Sequence, residues 1–131
     1  MRIYLDTSAL VKLVVAEGES QPLKDFLAAR AEDSLFSAAL ARTELIRAVA
    51  PNGAQAIADA RDLLNRLDTV MLTRQLLDDA GVLQPLSLRS LDAIHLTAAR
   101  RAGDALRAVI TYDARMLSAA ADLGISTVSP R

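Results

Sequence analysis

Cysteine does not occur in this 131-residue sequence, nor does tryptophan. Without cysteine there is no disulfide scaffold, no thiolate metal site and no thiol nucleophile, and the composition fits a reducing compartment. Aromatic residues are nearly as scarce: Tyr4, Phe26, Phe36 and Tyr112 make up 3% of the chain. No stacking platform for nucleic-acid bases is visible among them. The core is left to Leu, Ala, Val and Ile, within an apolar fraction of 52%. No apolar run approaches the roughly 18 residues of a membrane span. The N-terminus shows no long apolar stretch before a small-residue cleavage site, so no signal peptide and a cytoplasmic location are expected. Neither G-x-G-x-x-G nor G-x-x-x-x-G-K followed by Ser or Thr is present, which removes support for nucleotide-cofactor readings. Of 15 basic residues only Lys12 and Lys24 are lysines, leaving 13 arginines. Arginine suits bidentate phosphate contact, although a GC-rich coding sequence explains the bias equally well. The net charge of −1 does not itself advertise nucleic-acid binding.

What is present reads as one domain over residues 1–131, long enough for a real core. Arg2 to Leu5 is a short buried strand, and Asp6 to Ser8 offers a helix start with Ala9, Leu10, Leu13 and Val14 on its inner face. Ser20 and Pro22 open the next helix, with Leu23, Phe26 and Leu27 inward, and Arg30 to Asp33 forms a solvated end. Ser34 to Ser37 is a second strand. A helix is predicted over Ala38 to Ala50, stopped by Pro51-Asn52-Gly53, and another from Ala54 to about Leu67, with Ile57, Leu64 and Leu67 inward. Thr69 to Leu72 is a weak strand, Gln75 to Ala80 a short helix closed by Gly81. Ser90 caps a helix to about Ala102, and Ala108 to Thr111 is a clear strand. Asp113 caps a helix that Gly124 ends, before an edge strand over Ile125 to Val128. Strands alternating with helices predict an α/β fold, with a mostly parallel sheet of about four or five strands and helices on both faces.

Most of the 16 acidic residues sit in polar surroundings and belong to a solvated surface. Four differ. Asp6 ends an apolar strand, where it is either a helix cap or a ligand. Glu44 shares a helical face with Leu40 and Ala48; it either pairs with Arg47 at i+3 or points to a site. Asp92 falls in the first turn of its helix, where the dipole favours an anion, yet its segment is apolar and Leu96 lies on the same face. Asp113 follows Ala108 to Thr111 and repeats the arrangement at Asp6. Jointly they place two acids at strand carboxyl ends and two on helices able to pack beside those strands. Several carboxylates in one place repel and protonate unless cations neutralise them. Oxygen-only ligands suit Mg²⁺ or Mn²⁺, and paired hard cations suit displacement at a phosphodiester. His95, the single histidine, is either a base or a hydrogen-bonded structural residue, and its apolar helix favours the second.

These residues resemble PIN-domain nucleases. Asp6-Thr7-Ser8-Ala9-Leu10 resembles the family's opening motif, and Leu40 to Leu45 the helix with its single Glu. Pro85-Leu86 followed by Leu91-Asp92-Ala93-Ile94-His95-Leu96 resembles its most recognisable helix, and Ile110-Thr111-Tyr112-Asp113 its fourth acid segment. Size and spacing resemble the VapC toxins of bacterial toxin–antitoxin pairs. The match covers nearly the whole chain, apart from Pro51 to Asp68, which carries no motif. The resemblance implies a PIN-like α/β/α sandwich and a ribonuclease that holds Mg²⁺ or Mn²⁺ through Asp6, Glu44, Asp92 and Asp113. It implies supporting hydroxyls at Thr7, Ser8 and Thr111. It also implies an RNA substrate, a small cognate antitoxin of the VapB kind as inhibitor, and a homodimer or a hetero-oligomer with the antitoxin.

Three rivals are weighed against this. A receiver domain needs a late lysine, and both lysines precede residue 25. A phosphatase of the haloacid dehalogenase type needs a second Asp two residues after the first, where this chain has Ser8. A catalytically inactive PIN scaffold that only binds protein or RNA has no need of four mutually repelling carboxylates.

Overall fold

The strand Arg2–Leu5 (β1) is short and carries Ile, Tyr and Leu at its last three positions, each of them fully buried. A strand so lined is stable only with both faces covered, and it lies at the centre of the sheet. The computed structural model, which describes residues 1–131, continues with Thr7–Val14 (α1), Ser20–Ala28 (α2), Ser34–Ala38 (β2), Leu40–Val49 (α3) and Ala54–Arg66 (α4). The second half adds Asp68–Val70 (β3), Arg74–Gly81 (α5), Ser90–Arg100 (α6), Leu106–Ile110 (β4), Ala114–Asp122 (α7) and Thr127–Val128 (β5). The sheet has five strands in the order β3-β2-β1-β4-β5, and every neighbouring pair is parallel. No helix is long and apolar enough to cross a membrane.

Alternation along β1 sorts the core into two faces. Ile3 and Leu5 pack with Leu10, Leu23, Leu45 and Leu64 from the first four helices. Tyr4 points the other way, into Phe36, Leu76, Ala98, Ala99 and Val109, under α5 and α6. A smaller cluster of Leu96, Met116, Ala119 and Ala120 joins α6 to α7. This is the expected α/β/α sandwich. With so few rings available, Tyr4 and Phe36 meet edge to face at 5.1 Å and fill the second face between them.

Several boundaries differ from the sequence expectation. Ala38 is the last residue of β2 rather than the start of a helix, because Ala39 N–H still donates to Val70 O at 2.9 Å and the ladder holds the backbone extended. α3 ends at Val49, directly ahead of the Pro51-Asn52-Gly53 stop; Pro51 sits near the start of a 3₁₀ turn over Ala50–Asn52, where a missing N–H costs little, and Gly53 at φ 104° closes the turn. β3 and β5 are shorter or shifted, at Asp68–Val70 and Thr127–Val128. Ser90 is the first helical residue of α6 and makes no capping bond; the extended Arg89 occupies the cap position. In α4 the buried face is Ala60, Leu63 and Leu64, with Ile57 only partly covered. Asp33 is not solvated: its side chain is 5% exposed and pairs with Arg107, which holds its carboxyl down to about 2. Gly124, at φ 70°, ends α7 as its position suggests.

Candidate active site

The chain lays β1, β2 and β3 outward to one side, then crosses back so that β4 lies on the other side of β1. The carboxyl ends of β1 and β4 are therefore the point where strand order reverses, the place where open parallel sheets bind ligands. Leu5 pairs with Ile110 in register, and Asp6 N–H extends the ladder to Ile110 O at 3.2 Å. The next residues on the two strands, Asp6 and Thr111, are thus brought side by side from positions 105 apart.

Asp6 is 3% exposed and both of its oxygens are engaged. Oδ1 accepts from Ser8 Oγ at 2.6 Å and from Ala9 N–H at 3.0 Å, the second bond capping α1. Oδ2 accepts from the Thr111 hydroxyl. Thr111, fully buried, also accepts from Asp113 N–H at 3.1 Å, and Ser8 Oγ accepts from Tyr112 N–H at 2.9 Å. Burial pushes the Asp6 carboxyl above its ordinary range, against the three bonds that favour its ionised form. The cap reading of Asp6 is therefore correct without displacing the other one.

Asp92 lies in the first turn of α6, and its Oδ2 is buried with no hydrogen-bond partner. Burial, and then the charge of Asp113, push its carboxyl up; Asp6 adds to this, and His95 and Arg89 oppose it. Asp113 caps α7 through a bond from Arg115 N–H to Oδ1 at 2.9 Å. Glu44 makes no pair with Arg47. Its Oε1 instead accepts from the Thr7 hydroxyl at 2.7 Å and meets His95 Nε2 at 2.6 Å. Burial opposes ionisation of Glu44, but the contacts with His95 and Thr7 outweigh it and hold the carboxyl below its ordinary range.

His95 is 3% exposed, and both ring nitrogens are occupied, Nε2 by Glu44 and Nδ1 by Tyr4 Oη at 2.5 Å. Tyr4 went unnoticed in the sequence. Nothing in a lone strand tyrosine signals that it meets the only histidine from 91 positions away. A second feature without a motif is a cleft of about 280 Å³ between the 85–89 segment, the start of α6 and α7. Asp92 is the only one of the four acids lining it, beside Asp122 and the exposed Arg89 and Arg115, neither of which forms an ion pair.

No three Asp, Glu or His side chains enclose a cation in this arrangement. The donors fit a hard cation nevertheless. Mg²⁺ keeps several waters and is held by one or two carboxylates rather than a cage. The buried, unpartnered Oδ2 of Asp92 is the kind of atom such an ion satisfies. The ligand set is oxygen-rich, and two of its acids are disfavoured as free anions.

Comparison with known proteins agrees with this geometry. Residues 3–122 match the PIN domain family. The chain is 45% identical to Ribonuclease VapC46 of Mycobacterium tuberculosis over 98% of its own length and 97% of that protein's. In fold it is similar to the crystal structure of Mycobacterium tuberculosis VapC20, a toxin that cleaves the sarcin-ricin loop, with TM-score 0.77, 17% identity and 98% and 99% of the two chains covered. It is also similar to a chain of a toxin–antitoxin complex from Klebsiella pneumoniae, with TM-score 0.72, 18% identity and 98% of each chain covered. With a five-stranded parallel sheet and this similarity along its length, the chain belongs to the PIN-domain family, among the VapC ribonucleases.

Proposed function

We propose that this chain is a Mg²⁺- or Mn²⁺-dependent endoribonuclease, the toxin of a toxin–antitoxin pair, with Asp6, Glu44, Asp92 and Asp113 as its metal-binding and catalytic acids. The observation that carries this reading is the buried Oδ2 of Asp92, which no protein group satisfies, on a carboxyl that burial and then the charges of Asp113 and Asp6 push above its ordinary range. Identity of 45% to a protein named as a ribonuclease supports the reaction class. Asp92 Oδ2 would hold the ion, with the charges of Asp113 and Asp6 acting on the same carboxyl and Glu44 as the fourth acid of the proposed set. When bound it would supply charge neutralisation, a more acidic water and polarisation of the phosphodiester.

The chain's own residues do the rest. Ser8, Thr111 and the Ala9 N–H orient Asp6 so that it pays no ordering entropy when the substrate arrives. Thr7 does the same for Glu44. His95, occupied at both nitrogens, has no free position from which to take a proton from water. Arg89 and Arg115, which line the cleft with Asp92, would hold backbone phosphates of RNA, a contact that needs no stacking surface.

The test is cleavage of RNA by purified, antitoxin-free protein with Mg²⁺ or Mn²⁺, then with EDTA, beside Asp6→Asn and Asp92→Asn. Cleavage that persists in EDTA or in both variants sinks the reading. For the cleft, Arg89→Ala and Arg115→Ala are each expected to raise KM for RNA about tenfold, the scale of one lost charge-assisted phosphate contact. The salt slope of binding should fall by about 1 for each. An effect on kcat with KM unchanged would place these arginines elsewhere. Similarity to the VapC ribonucleases and to the Klebsiella complex supports a small antitoxin as partner, and a homodimer belongs to the same proposal. Co-purification of a small partner and the mass of the free toxin in solution test these.

A further inference from the structure

Glu44 is the acid most in need of outside help, because it stands on a helix away from the strand ends and its side chain is 24% exposed. A free Glu at such a place samples many rotamers. Here one oxygen is pinned twice, by Thr7 from α1 and by His95 from α6. The other, Oε2, takes part in no hydrogen bond and is not among the buried atoms lacking a partner, so it is open to a ligand.

His95 is in turn pinned by Tyr4, and the hydrogen count gives the direction of the chain. Tyr4 Oη accepts from Ala38 N–H at 3.2 Å. With its oxygen already accepting from the Ala38 N–H, the hydroxyl has its own hydrogen left to offer to His95 Nδ1. Nε2 then carries the ring hydrogen and donates it to Glu44 Oε1. Tyr4 has no freedom to adjust: it is fully buried in the central strand and packed edge to face against both Phe36 and the His95 ring. The orientation of a carboxylate on α3 is thus tied to the backbone of the sheet through two buried side chains.

We propose that Tyr4 and His95 are positioning residues, forming a buried Tyr4→His95→Glu44 chain that fixes one oxygen of Glu44 and leaves the other for the divalent ion. This rests on the ribonuclease reading above and adds residues to it. Partners of this kind behind a ligand are worth about 10–100-fold in metal affinity or activity.

The experiment uses Mn²⁺ as the probe, with free ion measured by electron paramagnetic resonance, beside steady-state cleavage of RNA and thermal melting. The variants are Tyr4→Phe, His95→Gln and His95→Leu. Tyr4→Phe deletes one hydroxyl far from the ion; it is expected to weaken Mn²⁺ binding and lower kcat about tenfold each, with KM for RNA unchanged. His95→Gln carries an acceptor and a donor on one planar amide, and is expected to stay within about threefold of the parent in Mn²⁺ affinity. His95→Leu carries neither and should lose tenfold or more. A chain that only braces α3 against α6 would lower the melting temperature in all three while the folded variants kept the parent's Mn²⁺ affinity; that result overturns the proposal and leaves the ribonuclease reading standing. Should Tyr4→Phe fail to fold, equal Mn²⁺ affinity in the two His95 variants overturns it in the same way. If the parent protein itself neither binds Mn²⁺ nor cuts RNA, the ribonuclease reading falls and takes this one with it.

Discussion

Asp6→Asn is expected to cut RNA more than about 100-fold more slowly than the parent protein, and yet to melt at a higher temperature when both are free of metal. Partners behind a metal ligand cost about 10–100-fold when removed, and a ligand should exceed that. The gain in stability has a local cause. Asn caps a helix as well as Asp does, so the bond from Ala9 N–H survives. The amide can donate to Thr111 Oγ1 where the carboxylate accepted from it, while the Thr111 hydrogen turns to Ser8 Oγ, 3.4 Å away. What disappears is a buried charge near Asp92.

The pH dependence gives a stricter check. The folded-state pKa of Asp6 is raised, so between the unfolded value near 3.9 and the raised value the folded protein binds more protons, and stability falls as pH rises. The variant lacks this loss. The difference in stability between the two should be small near pH 4 and grow to a plateau above the raised value. Glu44 is shifted the other way and stabilises above its own unfolded value, but both proteins carry it and it drops out of the comparison. Saturating Mg²⁺ should reverse the order, since an ion that binds only the folded parent adds about 2.7 kcal/mol at a hundred times its Kd. A variant that cuts within tenfold of the parent, or that gains nothing over it in metal-free melts above neutral pH, removes Asp6 from the ligand set.

Leu10→Ala is expected to cost about 3 kcal/mol and lower the melting temperature by about 10 °C. Leu10 is fully buried on the helix that starts at Asp6, in the cluster that joins Ile3 and Leu5 to α2, α3 and α4. Truncation there loses transfer free energy and leaves a cavity, typically about 2–5 kcal/mol in all. A domain of this size has about 7–20 kcal/mol to lose, so the variant folds but melts early, at roughly 3–5 °C per kcal/mol. Val82→Ala is the control: Val82 is 73% exposed, and the change should stay within about 0.5 kcal/mol. Equal melting temperatures for the two variants would contradict the packing of α1 against the sheet.

The outline of the fold was legible in the sequence because its signals are local. A buried strand followed by Asp and a helix start occurs at Asp6 and again, a few residues on from β4, at Asp113, and both acids do cap their helices. Alternation of strands and helices was enough for a parallel sandwich. Sequence patterning misses a boundary where a distant ladder decides it, as at Ala38, held extended by its pairing with Val70 of β3. Asp33 looked solvated because its partner Arg107 is 74 residues away. The candidate acids could be chosen because a carboxylate among apolar neighbours is conspicuous. The bonds that orient them could not, since Thr7 to Glu44 and Tyr4 to His95 depend on which helix packs over which strand. The same holds for the cleft beside Asp92, whose two unpaired arginines stand 26 positions apart in an arginine-rich chain.

Strand order also governs when the acids can meet. β1 is made first, but its neighbour β4 comes from residues 106–110, and Thr111 and Asp113 follow. Parallel strands reward the chain only after long loops have closed, which makes their pairing slow. A nascent chain carrying α1 to α6 already displays Asp6, Glu44 and Asp92, but it lacks the strand that seats Asp6 against Thr111. The hydrogen bond that seats Asp6 therefore forms only after β4 has been made and has crossed back beside β1.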